Sequence, residues 1–230
     1  MGMPNHYSVD LPSRCLALID GLWDDAARLR DVDRPDLGPL TSTFLLSMAM
    51  PIVNLPIERI ERHKNQASNA YADDRFLNKT LSNAVSTTLG GQLLENAEFF
   101  ESGSWSYARI SEDRIFNIAH GLLDPVADDL GGPAAFERAR KLQGSQWSSI
   151  LRNAMAHGGI LYLDRDGKSS YGQPVRMFAF VSGVYGDPMD KKRLTGQHLL
   201  RIEEMRFRSF LRQWVSWLRK NHLLNNPVAA

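Results

Sequence analysis

Leu151-Arg152-Asn153-Ala154-Met155-Ala156-His157-Gly158-Gly159 gathers an amphipathic segment, an Arg-Asn pair, a histidine and a double glycine into nine residues. Trp147, Ile150, Leu151 and Ala154 recur at helical spacing, which predicts a helix opened by Gly144 and Ser145 with those side chains buried. Gly158 suits the left-handed position that stops such a helix. Beyond it the period changes. Ile160 to Leu163 is β-prone, Asp164-Arg165-Asp166-Gly167 is a turn signal, and Val175 to Ser182 alternates, so a hairpin with a long tip is expected.

Working outward, a last long helix is expected from about Gln197 to His222, with Leu199, Leu200, Ile202, Met205, Phe210, Leu211, Trp214, Val215 and Leu218 inward. Upstream, Ser13 to Arg30 has helical spacing with Ser13 as N-cap, behind a loosely patterned lead-in at residues 1–12. Leu40 to Val53 is apolar almost all round, as a helix buried in a core would be, with Pro51 and Pro56 expected to end or kink it. Further helices are expected at 73–89, 114–123 and 134–143, whereas residues 101–110 read as loop. No fixed repeat is present. The fold class that results is mainly α: a single helical domain over residues 1–230, the first 12 flexible, with a small β-hairpin inserted before the last long helix.

Composition narrows the function classes. Hydrophobic residues make up 43% and charged residues 23%, ordinary for a globular chain able to fill its own core. The net charge of +1 gives no global field to recruit nucleic acid or an anionic membrane, so such binding needs a local patch. Cys15 is the one cysteine, so no intrachain disulfide can form and no zinc-binding cysteine pattern is present; it reads as a small core residue in a reducing, cytoplasmic setting. The longest apolar run, Phe44 to Val53, is shorter than the ~20 residues a bilayer span needs. Asp166-Gly167-Lys168-Ser169 resembles the end of a phosphate loop but sits in a hairpin turn rather than before a helix. His120 and Asp124 share a helix face at i, i+4, which suits a surface hydrogen bond. The six histidines are scattered, so neither metal nor cofactor is called for. Arg201, Arg206, Arg208, Arg212, Arg219 and Lys220 form a basic stripe on the expected last helix. It reads as a phosphate track or, with somewhat more weight, as a solvated face.

Arg152, Asn153 and His157 remain. On a helix advancing about 100° per residue, Asn153 and His157 lie roughly 40° apart, while Arg152 and His157 lie roughly 140° apart. Spacing alone favours a purely structural account, with His157 complementing the helix dipole and Asn153 bonding locally.

Arg152-Asn153-Ala154-Met155-Ala156-His157 matches the Arg-x(4–6)-His motif of HEPN domains, including the polar residue directly after the arginine. The amphipathic helix before it, the Ala156-His157-Gly158 ending and the helical context resemble that superfamily too. The resemblance implies an α-helical bundle that forms a homodimer, so that two motifs face each other. It implies a metal-independent endoribonuclease acting on RNA, with Arg152, Asn153 and His157 as catalytic residues. The setting it implies is toxin–antitoxin or defence, with an antitoxin protein as a further partner. The alternative is a non-catalytic HEPN-like module that binds RNA or nucleotide, or that only assembles the dimer. The residue chemistry agrees with cleavage: a histidine titrates near neutrality and can move a proton, and an arginine stays charged and matches phosphate geometry.

Overall fold

The computed structural model describes residues 6–61, 74, 75, 78–186 and 193–223. The fold is mainly α, as the sequence predicts. Its β part is larger than one hairpin: a four-stranded antiparallel sheet in the order β1-β4-β3-β2. The chain divides into two units, one of Met1–Gln92, Asn96–Phe100 and Arg208–Ala230, the other of Leu93–Glu95 and Glu101–Phe207.

In the first unit, α1 (Tyr7–Arg28) packs on α2 (Thr41–Pro56). Helix α1 begins well before Ser13, so residues 7–12 are not a flexible lead-in; residues 1–5 lie outside the described ones. The reason is tertiary. Ser8 and Val9 are buried, and the Ser8 hydroxyl donates to Asp74, which also pairs with Arg59. Pro12 lies inside this helix with its ring buried.

Neither does Pro51 end α2, which runs on through Pro56 into a π-helical turn, Ile57–Glu61. Pro56 has no N–H to give the carbonyl of Ile52, one turn earlier. The indole Nε1–H of buried Trp214 donates to that carbonyl instead, at 2.9 Å. Trp214 stands on α7 (Glu204–Leu223), and its ring also meets Phe99 edge-on at 4.8 Å. Helix α3 (Lys79–Thr88) starts later than position 73 because Asn78 caps it, accepting from the Leu81 amide. Phe76 and Leu77, expected inward on this helix, lie outside the described residues.

The second unit holds the sheet: β1 (Trp105–Ser111), β2 (Ile160–Leu163), β3 (Met177–Tyr185) and β4 (Leu194–Glu203). The expected β2–β3 hairpin is present. Two expectations fail around it. Residues 105–111 are a strand rather than loop, and 194–203 are a strand where helix was expected from Gln197. Strand β4 is paired on both sides, to β1 and β3, and this long-range pairing overrides a local pattern that suits a helix. The segment 114–123 is not a helix but two 3₁₀ turns, Glu112–Arg114 and Ile118–His120. Gln197 holds it open, accepting from the Phe116 amide and donating to the Phe116 carbonyl.

Both sheet faces are covered. On one, Ala108, Leu161, Ala179, Val181 and Leu199 meet Val126, Ala127 and Leu130 of α4 (Asp124–Gly131). On the other lies α6 (Gly144–His157), with Trp147 edge-on to Trp105 at 5.7 Å and Phe178 and Phe180 against Phe207. Helix α5 (Pro133–Arg140) packs along β1, where Arg138 donates to the Tyr107 carbonyl and blunts the sheet edge.

The Trp214–Ile52 bond gives a first prediction. Trp214→Phe leaves a buried carbonyl without a donor and costs about 1–3 kcal/mol in urea unfolding. In a Pro56→Ala background, where a backbone N–H is available again, the same change costs at least 1 kcal/mol less. Purely additive effects refute the account.

Candidate functional site

The motif helix ends on two glycines with different tasks. Gly158 adopts φ 72°, the left-handed conformation, and its amide closes onto Ala154. The Gly159 amide also reaches the Ala154 carbonyl, at 2.8 Å, and its own carbonyl accepts from the Val181 amide at 2.7 Å. A Cβ on Gly159 would lie far inside contact distance of the Val181 carbonyl oxygen, whereas one on Gly158 meets nothing. The end of α6 is thereby joined directly to β3.

Around this end the structure brings two of the three expected residues together. Arg152 Nη2 donates to Asn153 Oδ1 at 2.6 Å. Asn153 Nδ2 approaches the hydroxyl of buried Ser182 on β3 at 3.4 Å, a weak contact by its length. His157 is exposed in the last turn, and among the described residues no hydrogen bond joins it to Arg152 or Asn153. Asn153 and His157 thus differ in environment: Asn153 faces the sheet half-buried, and His157 faces solvent.

Ser182 belongs to a row the sequence reading missed. It pairs across the sheet with His198 of β4, which pairs in turn with Arg109 of β1. Directly paired residues share a face, so Arg109, His198 and Ser182 lie on the side that carries α6. Next to the row, Tyr107 Oη and His198 Nδ1 are 2.7 Å apart with their rings stacked, and Gln146 of α6 donates to Tyr107 Oη at 3.3 Å. Burial pushes the His198 imidazole below its ordinary pKa, and the charge of Arg109 acts in the same direction. Burial pushes the Tyr107 phenol up, against the pull of Arg109, Gln146 and Arg138.

The basic stripe of the C-terminal region is largely neutralised. Arg208 and Arg212 both pair with Asp20, and Arg208 also lies over the Trp23 ring at 4.2 Å. Lys220 pairs with Glu98, Arg206 with Glu101, and Arg219 donates to Ser13. Arg201 is not on the helix at all: it is a buried β4 residue donating to the Ala127 carbonyl. Two concave surfaces among the described residues of the second unit lie at the hairpin tip, where Arg165 and Arg176 are mixed with Asp164, Asp166, Glu203 and Glu204, and neither is lined by a motif residue. Asp166 to Ser169 form a turn held by Asp164, whose side chain accepts from the Asp166 and Lys168 amides, so this segment is no phosphate loop. His120 is exposed in a 3₁₀ turn before α4 and shares no helix with Asp124, which pairs with Lys168.

Among the described residues no group of three or more His, Cys, Asp or Glu is arranged to hold a metal ion, and no helix is long and apolar enough to cross a membrane. No protein-family model, curated protein or solved structure matches the chain.

Two predictions belong to this site. Gly158→Ala meets open space and costs about 1–2 kcal/mol, the strain of a left-handed non-glycine residue. Gly159→Ala meets backbone and costs about 3 kcal/mol. Chemical denaturation of the two variants checks the order, which reverses if the Val181 contact is unimportant.

The second concerns pH. An imidazole whose folded pKa lies below its unfolded value of about 6.5 stabilises the fold fully above that value, and the contribution is lost as pH falls. His198 is such a group, and so is His6 in the first unit, lowered chiefly by burial. Stability should fall from pH 7 to pH 5.5 in urea titrations, and His198→Gln should fall less steeply. Identical slopes exclude the lowered imidazole.

Proposed function

We propose that this chain is a metal-independent endoribonuclease of HEPN type, with Arg152, Asn153 and His157 as its catalytic residues. The observation that carries the reading is the 2.6 Å Arg152–Asn153 bond on a helix end tied to β3 through Gly159 and Ser182, with His157 exposed beside it. A charged donor and an imidazole are thereby carried within two turns of one helix, the donor anchored by Asn153 and the imidazole open to solvent.

In the proposed step, His157 takes the proton of a ribose 2′-OH, and the 2′ oxygen bonds to phosphorus. The bond to the 5′ oxygen breaks, and that oxygen leaves with a proton from His157 of a second copy. Arg152 offsets the charge that builds on the phosphoryl oxygens. Asn153 orients Arg152. The products are a 2′,3′-cyclic phosphate and a 5′-hydroxyl. One chain supplies one such histidine, so the reaction calls for a homodimer. On the same resemblance the setting is toxin–antitoxin or defence, with an antitoxin protein as a further partner.

One observation favours the second reading, a non-catalytic module that binds RNA or nucleotide or assembles the dimer. The arginines of α7 are engaged by Asp20, Glu101 and Ser13, which leaves little of a basic track.

The test is incubation with single-stranded and structured RNA in excess chelator. Wild type should cleave, and His157→Ala should be slower by about 10²–10⁴-fold with its circular dichroism unchanged. Arg152→Ala should be slower by about 10²–10³-fold. Equal rates in wild type and His157→Ala, or no cleavage of any RNA, sink the catalytic reading; binding without cleavage establishes the second.

A further inference from the structure

We infer that Arg109 and His198 form a phosphate-binding subsite for an RNA strand, beside the Arg152–Asn153 pair on the α6 face of the sheet. This rests on the RNA reading above and adds to it residues that the motif does not contain.

The first argument is placement. Arg109, His198 and Ser182 are consecutive cross-strand partners on β1, β4 and β3. Neighbouring strands lie about 4.8 Å apart, so His198 stands one strand from the serine that Asn153 contacts, and Arg109 one strand further. A continuous polar row therefore leads from the motif to the edge of the sheet. Elsewhere on this face Trp105, Phe178, Phe180 and Leu200 are buried and apolar.

The second argument is charge. The charged groups that act on His198 and Tyr107 are Arg109 and Arg138; no carboxylate is among them. Arg138 is engaged by Asp129 and by the Tyr107 carbonyl. Arg109 is exposed, and no carboxylate pairs with it among the described residues. A cation beside an imidazole with no neutralising acid is a place for an anion.

The third argument is hydrogen bonding. Gln146 donates to the Tyr107 oxygen, and Tyr107 Oη and His198 Nδ1 share a hydrogen bond whose direction goes with the His198 tautomer. With the Tyr107 hydroxyl as its donor, His198 carries its proton on Nε2, where it suits a phosphate oxygen. The guanidinium of Arg109 supplies the second donor.

The probe is a 2′-O-methyl RNA hexanucleotide, which cannot be cleaved through its 2′ oxygen, titrated into the intact protein. The readouts are the imidazole NMR signals of His198 and the affinity. The hexanucleotide should shift the His198 signals, and both Arg109→Gln and His198→Gln should weaken binding about tenfold. Arg109 is exposed, so its variant keeps the fold and stands as the test if His198→Gln does not. No His198 shift at millimolar hexanucleotide overturns the subsite, as does unchanged affinity in Arg109→Gln. An equal response to inorganic phosphate, with no gain from the strand, overturns RNA as the occupant. The two claims separate cleanly: cleavage unaffected by Arg109→Gln refutes the subsite and leaves the nuclease reading standing, whereas His198-centred binding without any cleavage does the reverse.

Discussion

The second unit depends on how closely α6 approaches β3. The carbonyl of Val181 occupies the space that a side chain at residue 159 would need, while the Val181 amide donates to the Gly159 carbonyl. Only a glycine permits that approach. Its consequence is positional. Asn153 comes to lie against Ser182, and the chain leaves the helix already in place to begin β2 at Ile160. A looser junction would let the helix end shift by an ångström or more, and a constellation of polar side chains tolerates little of that.

The first unit meets a related constraint in a different way. Pro56 cannot bond the carbonyl one turn before it, and α2 continues through it because Trp214 supplies the missing donor. A proline rule applied to α2 alone stops the helix early, since the compensating group lies 162 residues further along the chain. The same reasoning covers α1. Its start at Tyr7 depends on the buried bond from Ser8 to Asp74, and nothing in the local sequence announces it.

What was legible in the sequence was therefore what is local. The motif helix, its stop at Gly158 and the hairpin after it follow from periodicity and from glycine's backbone freedom, and all three are present. What was not legible is what depends on distant partners. Trp105 to Ser111 holds Trp105, Tyr107 and Ile110, residue types that suit a strand, yet its aromatics and the neighbouring Gly103 and Ser104 also suit a loop until β4 pairs with it. Leu194 to Glu203 carries apolar residues that suit a helix face as well as a strand enclosed on both edges. Tyr107 and His198 stand on those two segments, so their adjacency is not legible before the strands pair. Arg152 and Asn153 can be read together from the sequence because one helix carries both; the row beside them needs three strands in register.

That row is also where the sheet departs from what packing alone selects. A face covered by a helix is normally apolar throughout, since a buried polar group without a partner costs free energy. Here one half of the face obeys the rule, with Trp105 and Trp147 edge to edge and Phe178 and Phe180 against Phe207. The other half holds Tyr107, His198 and Ser182 under Gln146 and Asn153. Satisfying each member of such a network requires several geometries to be met at once, whereas a few aliphatic side chains would fill the same volume with fewer constraints. Local departures from the packing rule of this kind collect where structure serves chemistry. The departure adjoins the helix that carries Arg152 and Asn153, and the proposed reading gives the residues on both sides of that contact a common phosphate to hold.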